Sequence, residues 1–436
     1  MSPAAVILRT ADRGFARAFA RLRAVRAADE ERAEAVARGI VEDVRRRGDR
    51  ALLEYTRRFD GATVRADTLR VGTDELRAAV AGLPAPVRSA LRLAARRIRA
   101  FHIRQRQKSW RYRDDAGLVL GQQITPLRRV GVYVPGGHAA YPSSVLMNVI
   151  PARVAGVDEV IMVSPAGRDG HPVAVLAAAH IAGATAVYRI GGAQAVAALA
   201  YGTRTIPRVD KIVGPGNAFV QAAKRQVYGQ VDIDSTAGPS EVLVIADASA
   251  NPAYVAADLL AQAEHGSGDE CALLLTPLPR LAAAVQREIE RQMQALPRRA
   301  AIAGVLKKRG ALVVVRDLDE AVALAEQIAP EHLELLVRNP AALSKRLRNA
   351  GAVFQGAFAP APLGDYLAGP NHVLPTGGSA RFFSPLGTYH FVKRTSVVGA
   401  SAAALRRLAP AVQTLAELEG YQAHAAAVRI RFERSS

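Results

Sequence analysis

Cysteine and tryptophan are nearly absent from this sequence, which has one of each in 436 residues. The single thiol, Cys271, excludes an internal disulfide framework and a cysteine-rich zinc module, and it fits a reducing compartment. Long uncharged apolar runs are also absent: Arg9, Asp12 and Arg13 interrupt the N-terminal stretch where a secretion signal would need one, and no run reaches membrane-spanning length. We therefore expect a cytoplasmic protein with no membrane partner.

Acidic residues are few relative to basic ones. Lysine and arginine number 58 against 39 aspartate and glutamate, a formal net charge of +19, which raises the question of a nucleic-acid partner. Arginines cluster at 45–47 and 96–113, with Trp110 and Tyr112 in the second cluster. No zinc knuckle, helix-turn-helix signature or RNP motif accompanies them, and most basic helices also carry acids. The pattern favours solvated helix faces, and a non-catalytic nucleic-acid binder is kept as an alternative.

The length and apolar content indicate more than one domain. Half of the residues are hydrophobic, which is enough to bury separate cores. Apolar residues recur at helical spacing over 15–25 and 36–52, with Gly48 and Asp49 as a break, and two further helices are expected over 74–108. The chain is thus predicted to begin with a helical lead-in.

From about residue 122 onward, short β-rich runs alternate with apolar helices. The predicted strands of a first block are 130–134, 159–163, 186–190 and 211–213, and those of a second block are 242–246, 271–276, 312–315, 333–337 and 352–355. Strands and helices that alternate in this way are typical of parallel βαβ units. We predict an α/β fold with two Rossmann-like, doubly wound parallel-sheet domains, a helical N-terminal lead-in and a small C-terminal appendage.

Glycine-rich turns follow two of these strands, at 191–194 and 214–217. Such turns let the phosphates of a ligand approach the backbone and the N-terminus of the next helix. Neither is a complete G-x-G-x-x-G, and tight-turn glycines are common in α/β proteins, so the turns alone do not identify a cofactor.

Polar side chains in the second half of the chain include potential metal ligands. Gln262 and His265 lie three residues apart near the end of a predicted helix and project from one face, although a helix end with a dipole-favoured histidine also explains this pair. Asp365 in a loop and His424 near the C-terminus add oxygen and nitrogen donors, and each could equally be a structural group. Together the four form a ligand set without thiolate that suits zinc or a harder divalent ion.

Four longer runs resemble the histidinol dehydrogenase family. They are DSTAGPSE at 234–241, DLLAQAEHG at 258–266, PEHLEL at 330–335 and LGDYLAGPNH at 363–372, and the likeness extends over essentially the whole chain. The resemblance implies a zinc-dependent, NAD-linked enzyme of the last steps of histidine biosynthesis. Such an enzyme oxidises L-histidinol to L-histidine in two steps, with L-histidinaldehyde held between them.

The resemblance also assigns roles by position. The matching ligands of one Zn²⁺ per subunit are Gln262, His265, Asp365 and His424. Glu331 and His332 match the catalytic acid/base pair. The residues that would contact the substrate are Ser240, Gln262, His265, Glu331, His332, Asp365, His372, Glu419 and His424. Those that would line the NAD site are Tyr133, Gln194 and Asn217.

The resemblance further implies a homodimer in which the C-terminal segment of each subunit completes the site of its neighbour. The implied domains are an N-terminal helical arm at 1–28, a first α/β domain at 29–124 and 237–385 with the metal and catalytic residues, a second at 125–236 with the NAD site, and a dimerisation appendage at 386–436. A paralogue that oxidises another small alcohol, such as a sulfonated diol, remains an alternative. Glu419, whose carboxylate could hydrogen-bond an imidazole, favours histidinol.

Overall fold

The computed structural model describes residues 5–23, 27–61, 64–136, 140–167, 170–236, 238–265 and 268–433. Ala237 and Gly266, which belong to two of the family-like runs, lie outside these ranges. None of the helices in the described part of the chain is long and apolar enough to cross a membrane.

The N-terminal region contains one strand, five helices and then a β-hairpin. Its elements are β1 (Val6–Arg9), α1 (Phe15–Arg23), α2 (Ala27–Arg47), α3 (Asp49–Asp60), α4 (Thr73–Ala81), α5 (Ala85–Ile103), β2 (Trp110–Arg113) and β3 (Val119–Pro126). The predicted break between α2 and α3 is confirmed, because Gly48 adopts a φ of +57°, a conformation that most other residues avoid.

A five-stranded parallel sheet follows, with strand order β6-β5-β4-β7-β8. Its elements are β4 (Arg129–Tyr133), α6 (Pro142–Ala155), β5 (Glu159–Ser164), α7 (Val173–Ala182), β6 (Ala186–Arg189), α8 (Gly192–Tyr201), β7 (Lys211–Val213), α9 (Ala218–Val227) and β8 (Asp232–Ile233). The first four strands match the predicted runs to within a residue at each end. Their central residues are buried, as expected of strands covered by helices on both faces.

A second parallel sheet has six strands in the order β1-β11-β10-β9-β12-β13. Its further elements are β9 (Glu241–Ala246), α10 (Pro252–Ala263), β10 (Cys271–Thr276), α11 (Pro279–Met293), α12 (Arg299–Arg309), β11 (Gly310–Val314), α13 (Leu318–Ile328), β12 (His332–Leu336), α14 (Pro340–Ser344), β13 (Ala352–Gln355) and α15 (Ala361–Tyr366). The α/β class with parallel sheets is confirmed, and all five strands predicted for this block are present.

The C-terminal region is tied to the rest of the chain by a small antiparallel sheet. After two 3₁₀ turns at Ser379–Arg381 and Thr388–Phe391, strand β14 (Val392–Gly399) pairs along its whole length with β3, which also pairs with β2. Helices α16 (Ala402–Leu418) and α17 (Gln422–Arg429) then pack on each other. They form the predicted C-terminal appendage.

Packing in the N-terminal region differs from the predicted lead-in. The sequence predicts a helical arm at 1–28, but β1 pairs in parallel with β11 at the edge of the six-stranded sheet. Val6, Ile7 and Leu8 form a short apolar run, but it stands apart from the alternating strands and helices that predict the other strands of this sheet. Phe19 of α1 packs into the core of the same sheet.

The helices α2 to α5 also pack differently from the predicted domain division. The sequence assigns 29–124 to the domain that contains 237–385, whereas α2 and α3 pack on α8 and α9, and α4 and α5 pack on α6 and α7. Their apolar faces are therefore buried against the alanine-rich helices of the five-stranded sheet. The remaining domain boundaries stay a prediction.

Candidate active site

A carboxylate is held at the amino edge of the six-stranded sheet, where β9 and β12 begin side by side. Glu331 precedes β12, and its Oε2 accepts hydrogen bonds from the Ser240 hydroxyl at 2.5 Å and from the Glu241 backbone N–H at 2.8 Å. Both donors stand at the start of β9. Parallel pairing of the two strands therefore fixes the position of the Glu331 carboxylate.

His332, the first residue of β12, is buried beside this carboxylate. Its Nδ1 lies 3.0 Å from the Glu241 carbonyl oxygen, so Nδ1 carries the hydrogen, and Nε2 lies 3.6 Å from Asp365 Oδ1. Nε2 has no hydrogen-bond partner among the described residues. Burial alone would lower the pKa of His332, but the charges of Glu331 and Asp365 raise it well above its ordinary value.

Asp365 and His372 connect this cluster to the five-stranded sheet. The Asp365 backbone oxygen accepts a hydrogen bond from His372 Nδ1 at 2.9 Å, and His372 Nε2 lies 3.4 Å from the Ser144 hydroxyl in the first turn of α6. Burial would raise the pKa of Asp365, but the His332 imidazole beside it, followed by the charges of His372 and His265, lowers it. Asp365 is therefore an anion surrounded by imidazoles.

Gln262 and His265 lie at the C-terminal end of α10 and face the same region. The charge of His265 contributes to the lowered pKa of Asp365, and His265 Nδ1 lies 3.2 Å from the Gln262 carbonyl oxygen. Gln262 is buried, and its Nε2 has no hydrogen-bond partner within the described ranges. Burial without a partner is costly for an amide, which makes Gln262 a candidate to contact a bound group.

The donor set fits a divalent cation, although one chain supplies only part of it. Gln262, His265 and Asp365 offer an amide, an imidazole and a carboxylate, and the nearby Glu331 leaves a surplus of negative charge for a cation to neutralise. Across the described ranges no group of three or more His, Cys, Asp or Glu side chains is arranged to hold a metal ion. Two such side chains and an amide would need a further ligand from outside the cluster.

Glu419 and His424 are not brought to this cluster within one chain. Glu419 follows the end of α16, and the His424 ring in α17 stacks on Tyr421 with ring centroids 4.9 Å apart. Around them Leu415, Leu418 and Tyr421 are 60%, 81% and 54% exposed. Side chains this apolar and this exposed on neighbouring helices form a patch of the kind that marks interaction sites.

A cleft of about 860 Å³ lies at the carboxyl edge of the five-stranded sheet, and Tyr133, Gln194 and Asn217 all line it. The Tyr133 hydroxyl accepts a hydrogen bond from the Gly192 N–H at 3.1 Å. Gln194 is fully buried, yet neither polar atom of its amide has a partner in the described part of the chain. Gly192 adopts a φ of +65°, a left-handed conformation that favours glycine. The unpaired amide of Gln194 could hydrogen-bond a polar ligand in the cleft.

The cleft and the carboxylate–imidazole cluster are neighbours. Ala140 lines the cleft, and Ser144, four residues later, contacts His372 of the cluster. The cleft is at the carboxyl edge of one sheet, as is usual for open α/β sheets, whereas the cluster is at the amino edge of the other. A dinucleotide in the cleft could therefore extend one end toward the cluster.

The sequence does not single out two further acids. Glu241 is the last residue of the family-like run at 234–241, but the resemblance assigns it no role. Burial, followed by the charge of Glu331, raises its pKa to about 7. Asp60, the last residue of α3, lines the cleft and accepts the Gly191 N–H at 3.2 Å, and burial raises its pKa to about 6. Asp60 precedes the cleft turns by more than a hundred residues, so no local pattern connects it to them.

Comparisons with known proteins agree on one family. The family model described as histidinol dehydrogenase matches residues 23–432. The chain is 54% identical over 398 residues to the histidinol dehydrogenase of Syntrophotalea carbinolica, covering 91% of this chain and 92% of that protein. It is 52% identical over 404 residues to that of Aquifex aeolicus, with coverage of 92% and 93%. A crystal structure of histidinol dehydrogenase from Elizabethkingia anophelis has a TM-score of 0.92 at 34% identity, covering 99% of this chain and 98% of that one.

Proposed function

The chain belongs to the histidinol dehydrogenase family of oxidoreductases, and from this premise we propose that it oxidises L-histidinol to L-histidine through L-histidinaldehyde. The two oxidations are NAD-dependent and are the last steps of histidine biosynthesis. The observation that carries the proposal is the cluster of Glu331, His332 and Asp365 next to a nucleotide-sized cleft. The cytoplasm is the proposed location, in keeping with a single buried thiol.

NAD and zinc are the proposed cofactors. NAD⁺ in the cleft, contacted by Tyr133, Gln194 and Asn217, would accept the hydride of each oxidation. Zn²⁺ would be held by Gln262, His265 and Asp365 of one subunit and by His424 of the partner subunit. It would supply a Lewis acid that fixes the amine and imidazole of the substrate. The proposed substrate contacts are completed by Ser240 and His372 of the same subunit and by Glu419 of the partner subunit. The exposed apolar residues around His424 support a dimer of this kind.

His332 is the proposed base of the alcohol oxidation. The neighbouring carboxylates raise the pKa of His332, so His332 acts as a base in the neutral form that it takes above this pKa. In that form the hydrogen is on Nδ1, because this atom donates to the Glu241 carbonyl oxygen. The Nε2 lone pair is then available to accept the proton of the substrate hydroxyl while the C–H hydride leaves for the nicotinamide. The carbon–oxygen bond becomes a double bond, and the product is the aldehyde.

Oxidation of the aldehyde requires one more oxygen atom, which water supplies. Glu331 is the proposed base: its carboxylate takes a proton from water while the water oxygen bonds to the aldehyde carbon. His332, protonated in the first oxidation, gives its proton to the carbonyl oxygen, which completes the hydrate. The hydrate then returns a hydroxyl proton to His332 as its remaining C–H hydride leaves for the nicotinamide, which gives the carboxylic acid. A cysteine adduct is not part of this scheme because Cys271 is buried inside β10.

The test is substrate-dependent NADH formation by the purified protein after chelation and again after Zn²⁺ is restored. We expect two NADH per L-histidinol, loss of turnover with the chelator and recovery with zinc. A panel of small alcohols that includes a sulfonated diol is assayed in parallel. Faster turnover of another alcohol would assign the chain to a paralogous activity, and NADH from none of the alcohols would contradict the proposal.

A further inference from the structure

A buried carboxyl group lies behind the proposed metal site. Glu334 of β12 is fully buried, and its Oε1 accepts the Ala361 N–H at 2.7 Å. Its Oε2 has no N–H or hydroxyl donor among the described residues and interacts instead with the carboxyl group of Asp258. Two carboxyl groups in contact form a hydrogen bond only when one of them is protonated.

The buried member of this pair holds the proton. Burial, followed by the negative charge of Asp258, raises the pKa of Glu334 well above its ordinary value. Asp258 is only half-buried, and burial also raises its pKa. A neutral Glu334 can therefore donate from Oε2 to Asp258 while its other oxygen still accepts the Ala361 N–H.

The three bonded residues belong to three elements that carry functional side chains. Asp258 lies four residues before Gln262 on α10 and so shares its helix face. Glu334 lies two residues after His332 on β12, on the same face of the sheet. Ala361 is the first residue of α15, which carries Asp365. The two hydrogen bonds of Glu334 thus connect α10, β12 and α15.

We propose that Asp258 and Glu334 are positioning residues, whose carboxyl–carboxyl contact and bond to Ala361 hold α10, β12 and α15 in the arrangement that binds the metal ion. The inference rests on the proposed function, because it uses the proposed ligands on α10 and α15. Replacement of a buried polar pair by packed apolar groups is often neutral for stability. The contribution of this pair is therefore to the arrangement of the metal ligands and not to the stability of the fold.

Three variants separate positioning from packing. Glu334→Gln is neutral at every pH, and its amide can donate to Asp258 and accept from Ala361. Glu334→Leu fills a similar volume but removes both hydrogen bonds. Asp258→Ala, at a half-buried position, removes only the connection to α10. Val285→Ala, in the apolar core of the same sheet, is the matched control for a general loss of stability.

Zinc retention against a competing chelator is the main measurement, with kcat, KM and Tm recorded for the same preparations. We expect Glu334→Leu and Asp258→Ala to bind Zn²⁺ about 10- to 100-fold more weakly, the range seen when groups that orient metal ligands are removed. Glu334→Gln should stay within about threefold of the wild type, and so should Val285→Ala despite a lower Tm.

Two results would overturn the inference: normal zinc retention in Asp258→Ala, or a loss in Glu334→Gln as large as in Glu334→Leu. If Glu334→Leu does not fold, Asp258→Ala and Glu334→Gln still decide. Failure of the proposed function is a separate outcome, because the wild-type protein itself would then bind no zinc or form no NADH from histidinol.

Discussion

Cys271 is the single thiol of the chain, and its surroundings make it a packing residue. It lies in β10 with its S–H 3.5 Å from the Arg309 carbonyl oxygen, and burial raises the pKa of the thiol to about 12. A thiol in this state is a poor nucleophile. We expect Cys271→Ser to keep kcat for both oxidations within about threefold, as measured by NADH formation. A large loss of turnover with an unchanged Tm would instead indicate a covalent intermediate.

Glu331 is the residue that the proposed mechanism uses only in the second oxidation. In Glu331→Gln the side chain can still accept the two hydrogen bonds at β9, but it cannot take a proton from water. General-base catalysis typically contributes a factor of about 100 or more, so aldehyde oxidation should slow by roughly that factor and alcohol oxidation much less.

Single-turnover measurements that start from histidinol and from histidinaldehyde separate the two steps. Ser240→Ala is the comparison variant: it removes one hydrogen bond to Glu331 and the proposed substrate contact of Ser240 but leaves the carboxylate in place, so it should not slow aldehyde oxidation selectively. Equal slowing of both steps in Glu331→Gln would contradict the assignment of water activation to this residue.

Asp60 gives a stability prediction with a defined pH range. Burial raises its pKa from 3.8 to about 6, so the folded protein holds this proton more tightly than the unfolded chain does. The resulting stabilisation is fully present below about pH 4 and is lost as the pH rises to about 6. Asp60→Asn keeps an acceptor for the Gly191 N–H without a charge. Its Tm relative to the wild type should therefore rise between pH 4 and 6 and then stay constant.

Thermal unfolding without NAD, at intervals between pH 4 and pH 8, checks this prediction. Asp67→Asn is the control, because Asp67 is exposed and its hydrogen bond to Arg65 lowers its pKa. It should show no such increase. A Tm difference for Asp60→Asn that does not depend on pH would mean that the native pKa of Asp60 is unshifted.

At the scale of elements, the start of α9 combines a structural role and a proposed ligand-binding role in one residue. The Asn217 side chain accepts the Val220 N–H at 3.1 Å as the N-cap, and the same residue lines the cleft. Loss of an N-cap costs about 1 kcal/mol. Loss of one ligand hydrogen bond weakens binding by up to about tenfold. Asn217→Ala should therefore lower the Tm and also raise the KM for NAD⁺.

Asp317→Ala separates these two effects. Asp317 caps α13 through the Glu320 N–H at 2.8 Å and is not among the residues that line the cleft. It should lose similar stability with an unchanged KM for NAD⁺. An unchanged KM in Asn217→Ala as well would remove Asn217 from the cofactor site.

The arrangement of elements also explains where the functional groups lie. Strand β12 begins at His332 and β9 begins at Glu241, so the carboxylate–imidazole cluster is at the amino edge of its sheet. Local patterns in the sequence predict both strands and the polar residues that precede them. Which strands are neighbours depends on pairing between segments about 90 residues apart, and no local pattern records it.

At the scale of the whole molecule, the proposed site needs two chains, which heterodimers can test. An Asp365→Asn chain and a His424→Ala chain, co-expressed with different tags, form a heterodimer in which one site has both wild-type residues. Its turnover should be roughly half that of the wild type, whereas each variant homodimer should be inactive.

The matched control places both substitutions on one chain and pairs it with a wild-type chain. If each site combines Asp365 of one chain with His424 of the partner subunit, this heterodimer has no intact site and should be inactive. Activity in the control and none in the first heterodimer would show that each site is built within a single chain.

The sequence by itself determined the α/β class, nine strand positions and the long runs that identify the family. Each is a local property: buried parallel strands are continuous apolar runs, and the site residues lie in short polar segments between them. It did not reveal β1, a short apolar run that stands apart from the alternating strands and helices.

Only the tertiary structure decided how distant segments meet. It placed α2 to α5 on the five-stranded sheet, Asp60 in the cleft and Asp258 against Glu334. It also kept Glu419 and His424 away from the cluster of their own chain. These outcomes depend on which apolar faces cover each other and on which buried polar groups find partners. Both are set by long-range packing, and the spacing of residues along the chain does not encode them directly.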